Sequence, residues 1–60
     1  MTLTEIVESY APYHRYAEFG EGFVAYGVSY DNPYADGVAA QAWDRGLEAA
    51  MRWARAQSAA

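Results

Sequence analysis

The sequence predicts an all-α fold of two to three helices, in which the last two helices pack as an antiparallel pair across an Asn-Pro-Tyr turn. Two observations favour this fold. Apolar and small residues recur at spacings of three and four in both halves of the chain, which is the period of an amphipathic helix. No alternating pattern long enough for a strand competes with it. With 60 residues, we expect one small helical domain spanning residues 1–60.

The first helical signal is a capping box at the start of the chain. Thr2 and Glu5 have the spacing at which each side chain bonds the backbone amide of the other residue. An apolar stripe at spacings of four, three and four follows: Ile6, Tyr10, Tyr13 and Ala17. Pro12 interrupts this stripe, because proline removes a backbone donor and clashes with the preceding turn. We therefore expect a short first segment and then a helix over about residues 12–26.

Residues 28–36 are predicted to form the turn between the last two helices. They include Asn32 followed by Pro33, and a proline disfavours helical backbone in the residue before it. Asp36 follows at the position of an N-cap. Its carboxylate is therefore expected to accept a hydrogen bond from the first amides of the next helix.

The last helix is predicted over residues 37–56, with residues 57–60 as a frayed tail. Glu48 precedes Arg52 in the favourable acid-first order, four positions apart. One face of this helix combines apolar and small residues at helical spacing: Ala40, Trp43, Leu47, Ala50, Met51 and Ala54. Trp53 lies off that stripe, where we expect a second contact surface.

The stretch from Gly22 to Ala50 has an ordered set of residues at fixed spacings. Trp43 follows Pro33 by ten positions, Gly46 follows Trp43 by three, and Ala50 follows Gly46 by four. The full set is Gly22-Phe23, Ala25, Gly27, Asn32-Pro33-Tyr34, Ala40, Trp43, Gly46 and Ala50. The set resembles the ribosome modulation factor family over about half of the chain. The resemblance implies a packed helix pair and, for its function, binding to ribosomal RNA and ribosomal proteins during ribosome hibernation.

The acidic residues are concentrated in the first part of the chain. The net charge is −4, and residues 1–36 have six acids against one arginine, a net −5. Residues 37–60 have a net charge of +1, and the chain has no lysine. Because Lys and Arg side chains bind phosphate backbones, we expect the first part to repel nucleic acid rather than to bind it directly.

The sequence offers no constellation of residues for catalysis. Cysteine is absent and His14 is the single histidine, so we expect no metal site. No serine has an adjacent base of the kind that a nucleophile requires. Residues 20–25 match G-x-G-x-x-A, but no strand precedes them, as a dinucleotide site would require. We therefore predict a protein that is not an enzyme, with no catalytic residue and no cofactor.

Acidic and tyrosine side chains together predict a protein-binding surface. The six tyrosines exceed what a core of this size needs, and tyrosine is enriched at protein interfaces. Our first hypothesis is a small acidic inhibitor, encoded by a phage or mobile element, that mimics nucleic acid and blocks the basic groove of a host nucleic-acid-binding complex. Anti-CRISPR proteins resemble it in being short, acidic and poor in cysteine. The candidate partner-binding residues are Glu5, Glu8, Glu18, Glu21, Asp31, Asp36, Tyr13 and Tyr30.

Two alternatives remain open from the sequence. One is a ribosome-associated protein of the ribosome modulation factor type, with Arg45, Arg52 and Arg55 as the candidate RNA-binding residues. The other is a helical homodimer with a regulatory role. No run of eighteen apolar residues is present, and the N-terminus lacks the basic and apolar regions of a secretory signal. We accordingly expect no membrane association and a place in the cytoplasm of the host cell.

Overall fold

The computed structural model describes residues 2–58, which form three α-helices and one 3₁₀ turn and include no strand. The elements in chain order are α1 (Leu3–Glu8), the 3₁₀ turn (Tyr13–Arg15), α2 (Ala17–Ala25) and α3 (Gly37–Ser58). This order confirms the all-α fold. Within residues 2–58, no helix is long and apolar enough to cross a membrane.

Helix α1 begins at the predicted capping box. The Thr2 amide donates to Glu5 Oε1 at 2.8 Å, and the Glu5 amide donates to Thr2 Oγ1 at 3.1 Å. Two of the amides that a helix start leaves unpaired are satisfied in this way. Ile6 is 1% exposed and fixes α1 to the core. The hydroxyl of Ser9 donates to the Ile6 carbonyl at 2.6 Å just beyond the end of the helix.

The helix expected over residues 12–26 is divided in two, so this prediction is wrong in its first turn. Tyr13–Arg15 form a 3₁₀ turn, and Tyr16 is extended at φ −87° and ψ 144°. Helix α2 therefore begins only at Ala17. A single turn of 3₁₀ helix and one of α-helix place residues three apart on the same face, so apolar spacing alone does not distinguish them.

Helix α3 is longer than predicted, because it includes two residues of the expected frayed tail. Gln57 and Ser58 belong to the helix, whereas residues 59–60 lie outside the described part of the chain. The expected Asp36 cap is not among the side-chain hydrogen bonds found in residues 2–58. Gly37 turns the backbone into the helix at φ +80°, a conformation that glycine adopts without strain.

Helices α2 and α3 pack as an antiparallel pair whose backbones touch. A Cβ at Gly22 would overlap the carbonyl oxygen of Trp43, and a Cβ at Gly46 would overlap the carbonyl oxygen of Phe19. Phe19 of α2 thus contacts Gly46 of α3, and the later residue Gly22 contacts the earlier residue Trp43. This order confirms the predicted antiparallel arrangement. Each helix contributes one glycine to the crossing, so neither helix could approach as closely with a side chain there.

Ala40, Trp43 and Ala50 of the predicted stripe of α3 are buried, but the rest of the buried face is shifted towards small residues outside that stripe. Ala42 and Ala49 are 0% exposed, whereas Met51 of the predicted stripe is 40% exposed. Trp53, expected on a separate contact surface, packs against the core cluster. The buried members of this cluster are Ile6, Tyr10, Phe19, Ala42 and Ala49. The shift follows from the close crossing, because alanine and glycine lie where neighbouring backbones leave no room for larger side chains.

Candidate functional site

The connection between α2 and α3, residues 26–36, is tied to both helices by side-chain hydrogen bonds. Asn32 Nδ2 donates to the Ala40 carbonyl at 2.9 Å and to Asp44 Oδ1 at 3.0 Å. Asn32 Oδ1 accepts from the Tyr34 amide at 2.9 Å. The Tyr34 hydroxyl donates to Glu21 Oε1 at 2.5 Å. These bonds fix the connection against α3 and α2 and hold the carboxylates of Glu21 and Asp44 in place.

Five carboxylates belong to this connection or lie beside the residues that its hydrogen bonds reach, and we name them together the acidic face: Glu18, Glu21, Asp31, Asp36 and Asp44. Glu18 is half-buried and the other four are exposed. The pKa of Tyr34 is raised above 10.0, first by its hydrogen bond to Glu21, then by desolvation and by the charges of Glu21 and Glu18. The hydrogen bond to Glu21 is thus the main cause of the raised pKa of Tyr34, and the charges of the two glutamates add to it.

One member of the acidic face, Asp44, was missed by the sequence analysis. In the sequence it belongs to the last helix, where basic residues outnumber acids. Its hydrogen bond to Asn32, twelve positions earlier, places it beside the connection. No signal in the sequence links these two residues, since the contact depends on how the connection folds back onto α3.

No carboxylate of the acidic face forms an ion pair within the described residues. In residues 2–58 the one ion pair joins Arg45 Nη1 to Glu48 Oε2 at 3.4 Å, on the exposed surface of α3. Exposed pairs of this kind contribute little to stability. The carboxylates of the acidic face are therefore not held in ion pairs, and the field of such exposed charges extends into solvent over roughly one Debye length, about 8–10 Å at physiological salt.

The two predicted acids of α1 have a different setting from those of α2. The Glu5 carboxylate belongs to the capping box, and its hydrogen bond from the Thr2 amide, followed by the one from the Thr2 hydroxyl, lowers the pKa of Glu5 below 4.5. Glu8 is exposed at the end of α1. Within residues 2–58, no hydrogen bond or ion pair joins either of them to the acidic face. A partner that contacts all the predicted acids would have to cover two separate regions.

The two predicted tyrosines also differ in their surroundings. Tyr13 is half-buried against the core, and its hydroxyl donates to Gln41 Oε1 at 2.5 Å. Tyr30 is 62% exposed in the connection. Its ring lies 6.3 Å from the ring of Tyr26, at an interplanar angle of 47°. Tyr26 is 41% exposed and was not among the predicted partner-binding residues. It forms an aromatic pair with Tyr30, and both tyrosines belong to the same connection as Asp31 and Asp36.

The three arginines of the alternative RNA-binding hypothesis are all exposed on α3. Arg45 is engaged in the ion pair with Glu48. The Arg52 guanidinium lies over the ring of Tyr10, 5.4 Å from its centroid, which is the geometry of a cation–π contact. Burial raises the pKa of the Tyr10 hydroxyl, and the nearby Glu48 carboxylate adds to the rise. Arg55 is in the last turn of the helix.

An apolar groove of about 290 Å³ lies between α1 and α2. Its lining consists of apolar residues and one glycine: Leu3, Val7, Phe19, Gly20, Phe23 and Val24. Val24 is 73% exposed and Leu3 is 37% exposed, so the rim of the groove is open to solvent. The groove could not be predicted from the sequence, because it depends on how the fold places α1 relative to α2.

Comparison with protein-family models, with curated proteins and with solved structures gave no match. The resemblance of the Gly22–Ala50 stretch to the ribosome modulation factor family stays a prediction. The touching helix pair is compatible with what that resemblance implies for the fold.

Residues of the kind that bind metals or cofactors are dispersed over the described part of the chain. Within residues 2–58, no three His, Cys, Asp or Glu residues are grouped so that they could hold a metal ion. His14 is half-buried in the 3₁₀ turn, with its Nδ1 atom away from solvent. Residues 20–25, which match G-x-G-x-x-A, lie within α2. Their amides are therefore committed to helical hydrogen bonding rather than free to bind a pyrophosphate.

Proposed function

We propose that this chain is a small, acidic, non-enzymatic inhibitor, encoded by a phage or mobile element, that binds the basic groove of a host nucleic-acid-binding complex. It would occupy that groove in place of DNA or RNA, as a nucleic-acid mimic of the anti-CRISPR type, in the cytoplasm of the host. The observation that supports this most is the acidic face, whose five carboxylates have no ion-pair partner within residues 2–58. Grooves that bind phosphates are lined by Lys and Arg, which such a surface complements.

The fixed geometry of the acidic face supports mimicry over a merely solubilising charge. Glu21 is held by the Tyr34 hydroxyl, and Asp44 is held by the Asn32 amide. Both hydrogen bonds connect residues that are more than ten positions apart in the chain. Carboxylates that are already ordered lose less conformational entropy on binding than those on a flexible acidic tail. A partner would thus meet two prearranged negative charges among the five of the acidic face.

Charge reversal on the acidic face tests the proposal. Glu21 is a poor choice for mutation because it also holds Tyr34, so the double variant Glu18→Arg/Asp36→Arg is preferred. The matched control, Glu8→Arg/Glu48→Arg, changes the net charge equally but lies outside the acidic face. The tagged proteins are used to capture host proteins, which are identified by mass spectrometry.

We expect the wild type and the control variant to retain a nucleic-acid-binding complex, and the acidic-face variant to lose it. Equal loss of capture by both variants would mean that overall charge, and not the acidic face, drives binding. Capture of no nucleic-acid-binding protein by the wild type would rule out the proposal.

The second candidate function is ribosome association of the ribosome modulation factor type. The observation that favours it is the position of three exposed arginines on one flank of α3: Arg45, Arg52 and Arg55. At about 100° per residue they fall within a quarter turn of one another. This function predicts co-sedimentation with ribosomes that is lost when the three arginines are replaced by glutamate. The acidic-face variant would then co-sediment as well as the wild type.

A further inference from the structure

We propose that Tyr26 and Tyr30 form a binding site for an arginine side chain of the partner protein. This inference rests on the proposed function and names the kind of partner residue that the connection recognises. The two rings lie 6.3 Å apart at an interplanar angle of 47°, and the residues are 41% and 62% exposed. A cation is attracted to the face of an aromatic ring within about 6 Å of its centroid. Because the two centroids are so close, one guanidinium group can lie within that distance of both.

The fold does not use this pair in the way that it uses Tyr13 and Tyr34. The hydroxyls of those two residues donate to side chains of α3 and α2. Neither Tyr26 nor Tyr30 belongs to the core cluster, and neither hydroxyl forms a hydrogen bond within residues 2–58. Val28, between them in the chain, is 84% exposed. The described residues therefore leave the two rings open to a partner.

Backbone hydrogen bonds order the segment that contains the pair. The amides of Val28 and Ser29 donate to the Ala25 carbonyl at 2.9 and 3.0 Å, which closes the end of α2. Gly27 lies within this turn at φ +83°, a conformation that glycine adopts without strain. A segment that is already ordered loses less conformational entropy when it binds a partner. The two rings therefore lie next to each other on an ordered turn before a partner binds.

The rings themselves favour a cation, because the face of an aromatic ring is electrically negative. Tyrosine rings also stack on nucleic-acid bases, but a nucleotide brings phosphate groups with it. Residues 16–44, which include the whole connection, have five acids and no basic residue. One of these acids, Asp31, directly follows Tyr30 in the chain and is also exposed. Phosphates would be repelled by this part of the chain, whereas a guanidinium group has the opposite charge.

Arginine fits the pair better than lysine does. The guanidinium group is planar and weakly hydrated, so it stacks on an aromatic ring, whereas an ammonium group is compact and strongly hydrated. The chain itself contains one contact of this kind, because the Arg52 guanidinium lies 5.4 Å from the centroid of the Tyr10 ring. We therefore assign the site to arginine.

A second tyrosine pair provides a control within the same chain. The ring centroids of Tyr13 and Tyr16 are 6.5 Å apart at an interplanar angle of 40°, close to the geometry of the pair in the connection. However, His14 and Arg15 lie between them in the chain, and Tyr13 packs against the core. This second pair should therefore not bind arginine.

The direct test is a titration of isotope-labelled protein with capped tripeptides, followed by the ring and amide signals of the tyrosines. The probe is acetyl-Gly-Arg-Gly-amide. Two further tripeptides replace the arginine by lysine or by citrulline, which has the shape of arginine without its charge, and adenosine monophosphate represents a nucleotide. We expect saturable shifts of the Tyr26 and Tyr30 signals with the arginine tripeptide and weaker binding of the lysine tripeptide. Citrulline and the nucleotide should give no saturable shift at these residues.

Variants of Tyr30 separate the ring from the hydroxyl. Tyr30→Ala removes the ring and should lower the affinity for the arginine tripeptide by about twofold to fivefold, the scale of an exposed cation–π contact. Tyr30→Phe keeps the ring and should bind the tripeptide about as the wild type does. The matched control is Tyr16→Ala, which removes an exposed ring from the second pair and should leave the affinity unchanged. Circular dichroism should show the helical content of the wild type in all three variants, because both positions are exposed.

Three results would contradict an arginine site at this pair. Wild-type affinity of Tyr30→Ala would show that the tripeptide binds elsewhere on the protein. Equal binding of the citrulline tripeptide would show that the charge is not recognised. Tighter binding of adenosine monophosphate than of the arginine tripeptide at Tyr26 and Tyr30 would assign the pair to stacking on a nucleic-acid base.

Tyr30→Ala also distinguishes failure of this inference from failure of the proposed function. If Tyr30→Ala captures the host complex as the wild type does and Glu18→Arg/Asp36→Arg does not, the proposed function stands and the tyrosine pair has no part in it. If the pair binds the arginine tripeptide as expected but the wild type captures no nucleic-acid-binding protein, the proposed function fails and the arginine site stands.

Discussion

At the scale of single residues, the packing of this protein depends on positions that have no side chain. Gly22 and Gly46 lie where the backbones of α2 and α3 touch, and a methyl group at either would overlap a carbonyl oxygen. Backbone atoms cannot move aside as the end of a flexible side chain can, so the helices would have to separate. Gly20, two positions from Gly22, is under no such constraint.

The contrast between these glycines gives a prediction for stability. Gly46→Ala should lower the free energy of unfolding by about 1–3 kcal/mol, the usual cost of overpacking a core. Gly20→Ala should raise it by about 0.5–1 kcal/mol, because alanine is the better helix former and meets no neighbour. Urea denaturation followed by circular dichroism measures both values. Equal stability of the two variants would contradict the close crossing of α2 and α3.

Two tyrosines predict how stability changes at alkaline pH. The pKa values of Tyr10 and Tyr34 are raised above 10.0, chiefly by burial for Tyr10 and by the hydrogen bond to Glu21 for Tyr34. The folded state therefore favours the neutral phenols, and their contribution is fully present below pH 10. It is lost as the pH rises through the raised pKa values, so stability should fall there.

Ultraviolet absorbance of tyrosinate during an alkaline titration measures this effect, with Tyr34→Phe as the comparison. In the folded wild type, part of the tyrosine signal should appear at higher pH than in the unfolded chain. Removing the Tyr34 hydroxyl should reduce that delayed part. A wild-type titration that coincides with that of the unfolded chain would show that neither tyrosine is held as described.

At the scale of elements, the short helix α1 depends on its capping box. Thr2→Ala removes the hydroxyl that accepts from the Glu5 amide and should cost about 1 kcal/mol of stability. The control is Thr4→Ala, at an exposed position two residues after Thr2, and it should have little effect. Hydrogen exchange of the α1 amides should accelerate in the first variant only. Equal exchange in both would mean that packing through Ile6 alone maintains the helix.

Sequence reasoning succeeded for those elements whose signals are local. The capping box at Thr2 and the proline turn at Pro33 each act within a few residues, so their effects were predictable. The 3₁₀ turn and the extended Tyr16 were not, because they depend on contacts such as that between Tyr13 and Gln41, 28 positions apart. The buried face of α3 was predicted only in part: Ala40, Trp43 and Ala50 are buried as predicted, whereas Met51 is exposed. Hydrophobicity ranks Met51 above Ala49, but the close helix crossing admits only the smaller side chain.

The candidate surfaces were only partly predictable for the same physical reason. The charge imbalance could be counted in the sequence, and it indicated the acids of α2 and of the connection. Assigning Asp44 to the acidic face required the fold, since its contact with Asn32 is tertiary. The apolar groove likewise requires the relative placement of α1 and α2. Glu5 and Tyr13 were nominated as partner-binding residues, and the structure shows both in intramolecular hydrogen bonds.

At the scale of the whole molecule, different parts of one small domain present surfaces of different chemistry. The acidic face presents carboxylates that form no ion pair within residues 2–58, and the groove between α1 and α2 presents apolar surface. Association through the acidic face should weaken steeply with salt, because exposed charges are screened over about 8 Å at physiological ionic strength. The affinity of the wild type for the captured host complex, measured at several salt concentrations, tests this expectation.

The most direct test of the central claim is competition with nucleic acid for the captured host complex. Fluorescence anisotropy of a labelled nucleic acid bound to that complex reports its release as the protein is added. We predict stoichiometric release by the wild type and by Glu8→Arg/Glu48→Arg, and no release by Glu18→Arg/Asp36→Arg. Simultaneous binding of the protein and the nucleic acid, or equal release by the acidic-face variant, would contradict the account.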